Sequence, residues 1–175
     1  MIDRRYLVGL ALIVAACASS APPPPATRSG GGLDFAGSWN GVGRRQTIAL
    51  GANRTGSIVN LKGTMLLAGA GRPGVGFQAE VIGLTDSATG FQGRSVWTDE
   101  RGDQVYSELQ GEGTSARNHI MGTILSGTGR YAGVTGSYEF SWQSLLEGED
   151  GAIQGRAVDL QGRVRMAAAA AESHP

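Results

Sequence analysis

The chain has 175 residues, and its 15 lysines and arginines balance its 15 aspartates and glutamates. That balance leaves no basic excess to hold phosphates, so nucleic acid is not expected as a partner. Glycine occupies 29 positions, well above the roughly 7% of average proteins, and a single cysteine excludes an internal disulfide.

Residues 1–16 have the layout of a secretory signal peptide. A short basic start is followed by an apolar run over residues 7–16, which is shorter than the about 20 residues of a membrane-spanning helix. The sequence Val14-Ala15-Ala16-Cys17 resembles the lipobox of bacterial lipoproteins, which are cut before the cysteine and acylated on its sulfur. The resemblance implies lipidation at Cys17. An ordinary signal peptide with a chance cysteine is the alternative.

Residues 17–32 are interpreted as the lipidated cysteine and a flexible tether. Four consecutive prolines give a stiff, extended segment and three glycines a flexible one. Ala18 and Ser19 follow the cysteine, with no aspartate. By resemblance to lipoprotein sorting in diderm bacteria, this favours the outer membrane, facing the periplasm, and the inner membrane remains the alternative.

Residues 33–166 are predicted to form one all-β domain, followed by an alanine-rich tail over 167–175. Short runs of alternating polar and apolar residues are separated by turn signals, without sustained helical periodicity. Eight antiparallel strands without helices avoid open edges by closing into a barrel, and a two-sheet sandwich is the rival. The predicted strands are 38–50, 57–68, 75–86, 91–98, 104–113, 118–125, 136–145 and 152–166.

The glycine-rich stretch 126–140 does not fit a phosphate-binding loop. A dinucleotide fingerprint opens a helix and a P-loop needs Gly-Lys-Ser/Thr, whereas the residues that follow here alternate as a strand. We therefore predict a structural hairpin in which Tyr131 packs on the barrel rim. Its glycines are expected to supply positive φ angles: Gly127, Gly129, Gly133 and Gly136.

Residues 124–136, ILSGTGRYAGVTG, resemble the G-T-G-[RK]-[YF]-x-G-[AV]-x-G segment of allene oxide cyclase-like and dirigent-like barrels. The resemblance implies an eight-stranded antiparallel barrel around a central cavity. Members of those families cyclise a fatty-acid epoxide or steer the coupling of phenolic radicals, and bacterial relatives include cyclases of polyketides. Their polar cavity residues lie outside the glycine segment, so no catalytic residue is carried over.

Candidate cavity residues lie on two predicted strands. Tyr138, Phe140 and Trp142 alternate along one strand and share a face, which either fills the barrel or lines a pocket. Trp39 and Trp97 lie on other predicted strands, and the same two alternatives apply to them: filling the barrel or lining a pocket. The other candidates are Tyr106 and Glu108, two residues apart on one face, which could converge on a cavity as a polar pair. The alternative is that Glu108 faces water.

Metal and cofactor chemistry is not expected. His119 is the only histidine of the domain, and one histidine without further ligands makes a poor metal site. An acylated Cys17 would leave no thiol.

Three functions remain open at this point. Binding of a small apolar or amphipathic ligand is favoured over an envelope interaction or structural module. The resemblance also implies that a homo-oligomer is possible, since related barrels often form dimers or trimers. An isomerase or cyclase comes third, because no catalytic motif is visible.

Overall fold

Buried and exposed side chains alternate along the strands of the computed structural model, which describes residues 32–69, 74–112 and 117–167. The predicted signal peptide, Cys17 and all but the last residue of the tether lie outside these ranges, as does the tail after residue 167. Within the described ranges, no helix is long and apolar enough to cross a membrane.

Eight antiparallel strands close into a barrel, because each strand pairs with the next and β8 pairs with β1. The predicted all-β barrel is therefore confirmed, and the sandwich is excluded. One 3-10 turn, Gly129–Tyr131, lies between two strands and is the only helical element of the described residues. The strands are β1 Leu33–Gly51, β2 Arg54–Gly69, β3 Val75–Asp86, β4 Gly90–Asp99, β5 Gln104–Gly111, β6 Arg117–Gly127, β7 Thr135–Glu147 and β8 Ala152–Arg165.

The two ends of the barrel differ in how they are filled. We call the end where β1 begins and β8 finishes the closed end, and the opposite end the open end. Aromatic rings run from the middle of the barrel to the closed end, with centroids 6.3 Å apart for Phe140 and Tyr138, 4.7 Å for Tyr138 and Trp97, and 6.1 Å for Trp97 and Phe77. Tyr131 continues the series, 5.7 Å from Phe77. These rings form the core that plugs the closed end.

Tyr138 is fixed by contacts at both its ring and its hydroxyl. A Cβ atom on Gly122 would lie 2.2 Å from Cζ of Tyr138, so the ring lies directly over bare backbone. The hydroxyl is within 2.9 Å of Ser107 Oγ and 3.1 Å of Ser95 Oγ, and the two serine oxygens are 2.8 Å apart. Burial raises the pKa of Tyr138 to about 12. The three buried hydroxyls satisfy one another and hold the ring in place.

The glycine-rich hairpin lies at the closed end. Gly129, Gly133 and Gly136 have φ angles of 50°, 71° and 150°, as predicted for this turn. The prediction of a positive φ is wrong for Gly127, where space is the constraint, because a Cβ there would lie 2.5 Å from the carbonyl oxygen of Tyr131. Tyr131 is half-buried and packs against the core.

A buried carboxylate ties this hairpin to the β4–β5 turn. The side chain of Asp99 has no exposed surface and accepts hydrogen bonds from Arg130 and from the backbone N–H groups of Arg101, at 2.8 Å, and Asp103, at 3.0 Å. Burial alone would raise the pKa of Asp99, but these hydrogen bonds outweigh it and hold the pKa at about 2. Arg130 also contacts Asp103, at 3.3 Å.

Substituting Gly122→Ala tests whether the Tyr138 ring needs the bare backbone at Gly122. The added methyl group has to displace a ring that is held at its far end, so we expect the free energy of unfolding to fall by about 1–3 kcal/mol. Gly76→Ala is the matched control, since a Cβ on Gly76 has no neighbour within 4 Å. Urea denaturation of both variants measures the difference. Equal losses would contradict the proposed role of the bare backbone.

Asp99→Asn tests the buried carboxylate through its pH dependence. The folded pKa of about 2 lies below the about 3.9 of an unfolded aspartate. The stabilisation is therefore fully present above about pH 4 and is lost as the pH falls towards 2. We expect Asp99→Asn to lower the free energy of unfolding by about 1–3 kcal/mol at pH 7, and the deficit to shrink between pH 4 and pH 2. A deficit that stayed constant in urea denaturation over that range would contradict this account.

Candidate functional site

The barrel contains a cavity of about 510 Å³ next to the open end. Its inner part is lined mainly by apolar side chains, which include Trp39, Leu61, Val81, Leu109 and Phe140. Towards the open end, the inward positions change to small hydroxyl residues, which do not fill the interior. The volume thus lies beside the last rings of the aromatic series, Phe140, Trp39 and Trp142.

A row of hydroxyl groups forms one side of the mouth. Thr47 on β1 pairs with Ser57 on β2, which pairs in turn with Thr85 on β3. All three line the cavity, and Oγ1 of Thr47 is 2.8 Å from Oγ of Ser57. Three neighbouring strands therefore present polar groups above an apolar interior.

An ion pair bridges another part of the mouth. Arg45 Nη1 donates to Glu147 Oε1 at 3.3 Å, and Nη2 donates to Oε2. Ser144 Oγ donates to Oε1 at 2.9 Å. Hydrogen bonds from Arg45, and then from Ser144, lower the pKa of Glu147. Among the lining side chains that the structure describes, these are the two charged ones, so the mouth carries no net charge.

Two buried polar atoms in the cavity wall have no partner within the described protein. They are Nε1 of Trp39 and Oδ1 of Asn118, and both residues line the cavity. A Cβ on Gly41 would lie 3.3 Å from Cε2 of Trp39, the carbon bonded to Nε1. Since Gly41 is the next inward position towards the open end, and Cζ2 of Trp39 would lie 2.9 Å from that Cβ, the six-membered ring of the indole lies over Gly41 on the side of the open end.

The predicted aromatic face of β7 points into the barrel and serves two purposes. Phe140 and Trp142 line the cavity, and the Trp142 ring lies 5.2 Å from that of Trp39. Tyr138 lies deeper, in the filled part of the interior. The structure thus brings Phe140 and Trp142 to the candidate site and assigns Tyr138 to the core.

Tyr106 and Glu108 do share a face, but the prediction that they converge on the cavity is wrong. They lie on the outer face of β5 because the alternate residues take the inner one. Glu108 Oε1 lies 3.5 Å from Nη1 of Arg94 on the outer surface, and the Tyr106 hydroxyl donates to the side chain of Gln104. The buried residues of β5 are Val105, Ser107 and Leu109.

His119 lies on the outer surface, where its Nε2 is 3.4 Å from Glu139 Oε2. Both side chains are about half exposed. In the ranges that the structure covers, no group of three or more His, Cys, Asp or Glu side chains is arranged to hold a metal ion.

Sequence reasoning missed Arg45, Asn118 and Glu147 as lining residues. The sequence of β1 did contain an indication of the polar mouth. Its inward-facing positions carry the apolar Trp39 first and, further along the strand, the polar Arg45 and Thr47. A face that changes from apolar to polar along one strand marks the depth at which a barrel opens to solvent.

Comparison of the chain with protein-family models, curated proteins and solved structures gave no match.

Proposed function

We propose that this protein is a lipid-anchored protein of the bacterial cell envelope whose barrel binds one small apolar or amphipathic molecule. The observation that carries the proposal is the cavity of about 510 Å³ at the open end. Ligand sites typically measure about 300–1,000 Å³ and combine apolar walls with a few polar groups. Binding would be driven by removal of the apolar part of the ligand from water.

The division between walls and mouth supports an amphipathic ligand. Trp39, Phe140 and Trp142 offer flat apolar surfaces inside, while Thr47 and Ser57 offer hydroxyl groups at the rim. A ligand with an apolar body and a polar end would match both regions. The resemblance of the hairpin to allene oxide cyclase-like and dirigent-like barrels fits this proposal, since a central cavity is what that resemblance implies.

The position of the chain ends supports an anchored arrangement. β1 begins with Leu33 at the closed end, so the proposed tether from Cys17 joins the barrel opposite the mouth. The anchor would therefore leave the cavity accessible. We place the acylated protein at the outer membrane, facing the periplasm.

An interaction module is the second candidate, favoured by an apolar patch outside the barrel. Ile58 and Leu84 face each other across β2 and β3. The patch consists of five side chains that are 47–62% exposed: Ile48, Leu50, Ile58, Ile82 and Leu84. Exposed apolar clusters of this kind often mark interaction sites, and a second copy of the chain is one partner that such a patch could bind.

An isomerase or cyclase has less support. Acid–base chemistry in the cavity would need a titratable group directed at the ligand. Of the lining side chains that the structure describes, the charged ones are Arg45 and Glu147, and they are hydrogen-bonded to each other at the mouth. The arrangement therefore favours binding over chemistry.

Filling the cavity with Ser57→Phe tests the binding proposal. Ser57 points inward and Ile58, its neighbour, points outward. We expect Ser57→Phe to weaken binding of the uncharged fluorescent probe N-phenyl-1-naphthylamine at least about tenfold, equal to about 1.4 kcal/mol, because the new ring occupies the ligand volume. Ile58→Phe, the matched control, should bind the probe as the wild type does. Fluorescence titration measures both.

Two results would contradict the binding proposal. Equal weakening by Ser57→Phe and Ile58→Phe would place the probe outside the barrel. A wild-type protein that bound no apolar probe would favour the outer-surface candidate.

Cys17→Ser tests the anchor. The hydroxyl cannot carry the thioether-linked lipid, so we expect the protein to move from the membrane fraction to the soluble periplasmic fraction of a diderm host. Immunoblotting of the fractions measures the shift, and mass spectrometry of the wild type should show the acyl mass on Cys17. Cys17→Ser protein that remained in the membrane fraction would contradict lipid anchoring.

A further inference from the structure

Trp39 holds a hydrogen-bond donor that nothing in the described protein satisfies. Its side chain is 4% exposed, and Nε1 has no partner. Buried indole N–H groups usually find an acceptor, and an unmet donor lowers stability. The residue lines the cavity, and its indole ring lies over Gly41 on the side of the open end. An acceptor supplied by a ligand would complete this group.

The charges at the mouth argue against an ionic ligand. Arg45, the cation among the described lining residues, is held by both carboxylate oxygens of Glu147. An anionic head group would have to compete with that pair, or enter an apolar cavity without a counter-charge, which is costly. A cationic group would likewise have to compete with Arg45 for the carboxylate of Glu147.

We propose that the ligand is an uncharged molecule whose apolar body carries an oxygen acceptor, and that Trp39 selects it by donating the Nε1 hydrogen bond. The inference rests on the proposed ligand-binding function and adds the ligand class and the selecting residue. A carbonyl, ether or hydroxyl oxygen would serve as the acceptor. Trp142, 5.2 Å from Trp39 between ring centroids, would cover the apolar body beside it.

The test compares 2-acetonaphthone, which carries a carbonyl acceptor, with 2-ethylnaphthalene, which has a similar shape and none. Equilibrium dialysis gives the dissociation constant of each for the wild type and for Trp39→Phe. We expect Trp39→Phe to weaken the ketone about tenfold and to change the hydrocarbon less than about twofold. Because each ligand is compared between the wild type and Trp39→Phe, the difference in hydration between the ketone and the hydrocarbon cancels.

Trp97→Phe is the matched control. Trp97 is as buried as Trp39 but lies in the filled part of the barrel, outside the cavity. The same substitution there should leave the affinities for both ligands unchanged. If Trp39→Phe does not fold, the indole N–H resonance of Trp39 in the wild type decides instead. Ketone should shift this resonance downfield, and hydrocarbon should not.

A third ligand, the anion 2-naphthoate, tests whether the cavity excludes a charged molecule. We expect it to bind the wild type at least about tenfold more weakly than the ketone. Glu147→Gln should strengthen naphthoate binding relative to ketone binding, because it frees Arg45. Naphthoate that bound the wild type as tightly as the ketone would overturn the assignment of an uncharged ligand.

The remaining outcomes separate this inference from the cavity proposal. If both naphthalenes bind and Trp39→Phe weakens them equally or not at all, or if the ketone leaves the indole resonance unshifted, Trp39 does not select an acceptor, although the cavity binds apolar molecules. If neither naphthalene binds the wild type, both the ligand class and the binding function are wrong.

Discussion

The fit of aromatic rings against bare backbone inside the barrel is the constraint on which the rest of the structure depends. Tyr138 covers Gly122 and Trp142 covers Gly155, where added Cβ atoms would lie 2.2 Å and 2.3 Å from the ring atoms. An eight-stranded barrel is only wide enough for its side chains or for one small ligand. Rings lying against the wall allow large residues to fill the closed end, and they explain why a glycine-rich chain can still build an aromatic core.

That filling determines which end of the barrel interior is open to solvent. The rings block the closed end together with the hairpin that carries Tyr131, and the Asp99 carboxylate fixes the hairpin to the neighbouring turn. Empty volume is left at the open end, where Thr47, Ser57 and Thr85 are too small to occupy it. Because β1 starts at the closed end, the chain enters the barrel at the end opposite the mouth of the cavity.

Local sequence patterns predicted the strands well, because alternation and turn residues are local properties. β3 runs over Val75–Asp86 as expected, whereas β1 begins at Leu33, five residues earlier than predicted, since its first part is defined by pairing with β8. The face of each strand was harder to predict. Tyr106 and Glu108 were candidates for the interior, although Val105 and Leu109 occupy it. The cavity itself depends on how side chains of different strands fill a shared volume, which no single strand reveals.

Native mass spectrometry of the Cys17→Ser protein, purified without detergent from the soluble fraction of its host, tests the central claim most directly. The account predicts one bound small molecule per chain, uncharged and with an apolar body that carries oxygen, and its loss in Ser57→Phe. A chain that carried no bound mass, and that took up none of the extracted envelope lipids and metabolites offered to it, would contradict the claim. The function would then have to lie on the outer surface of the barrel.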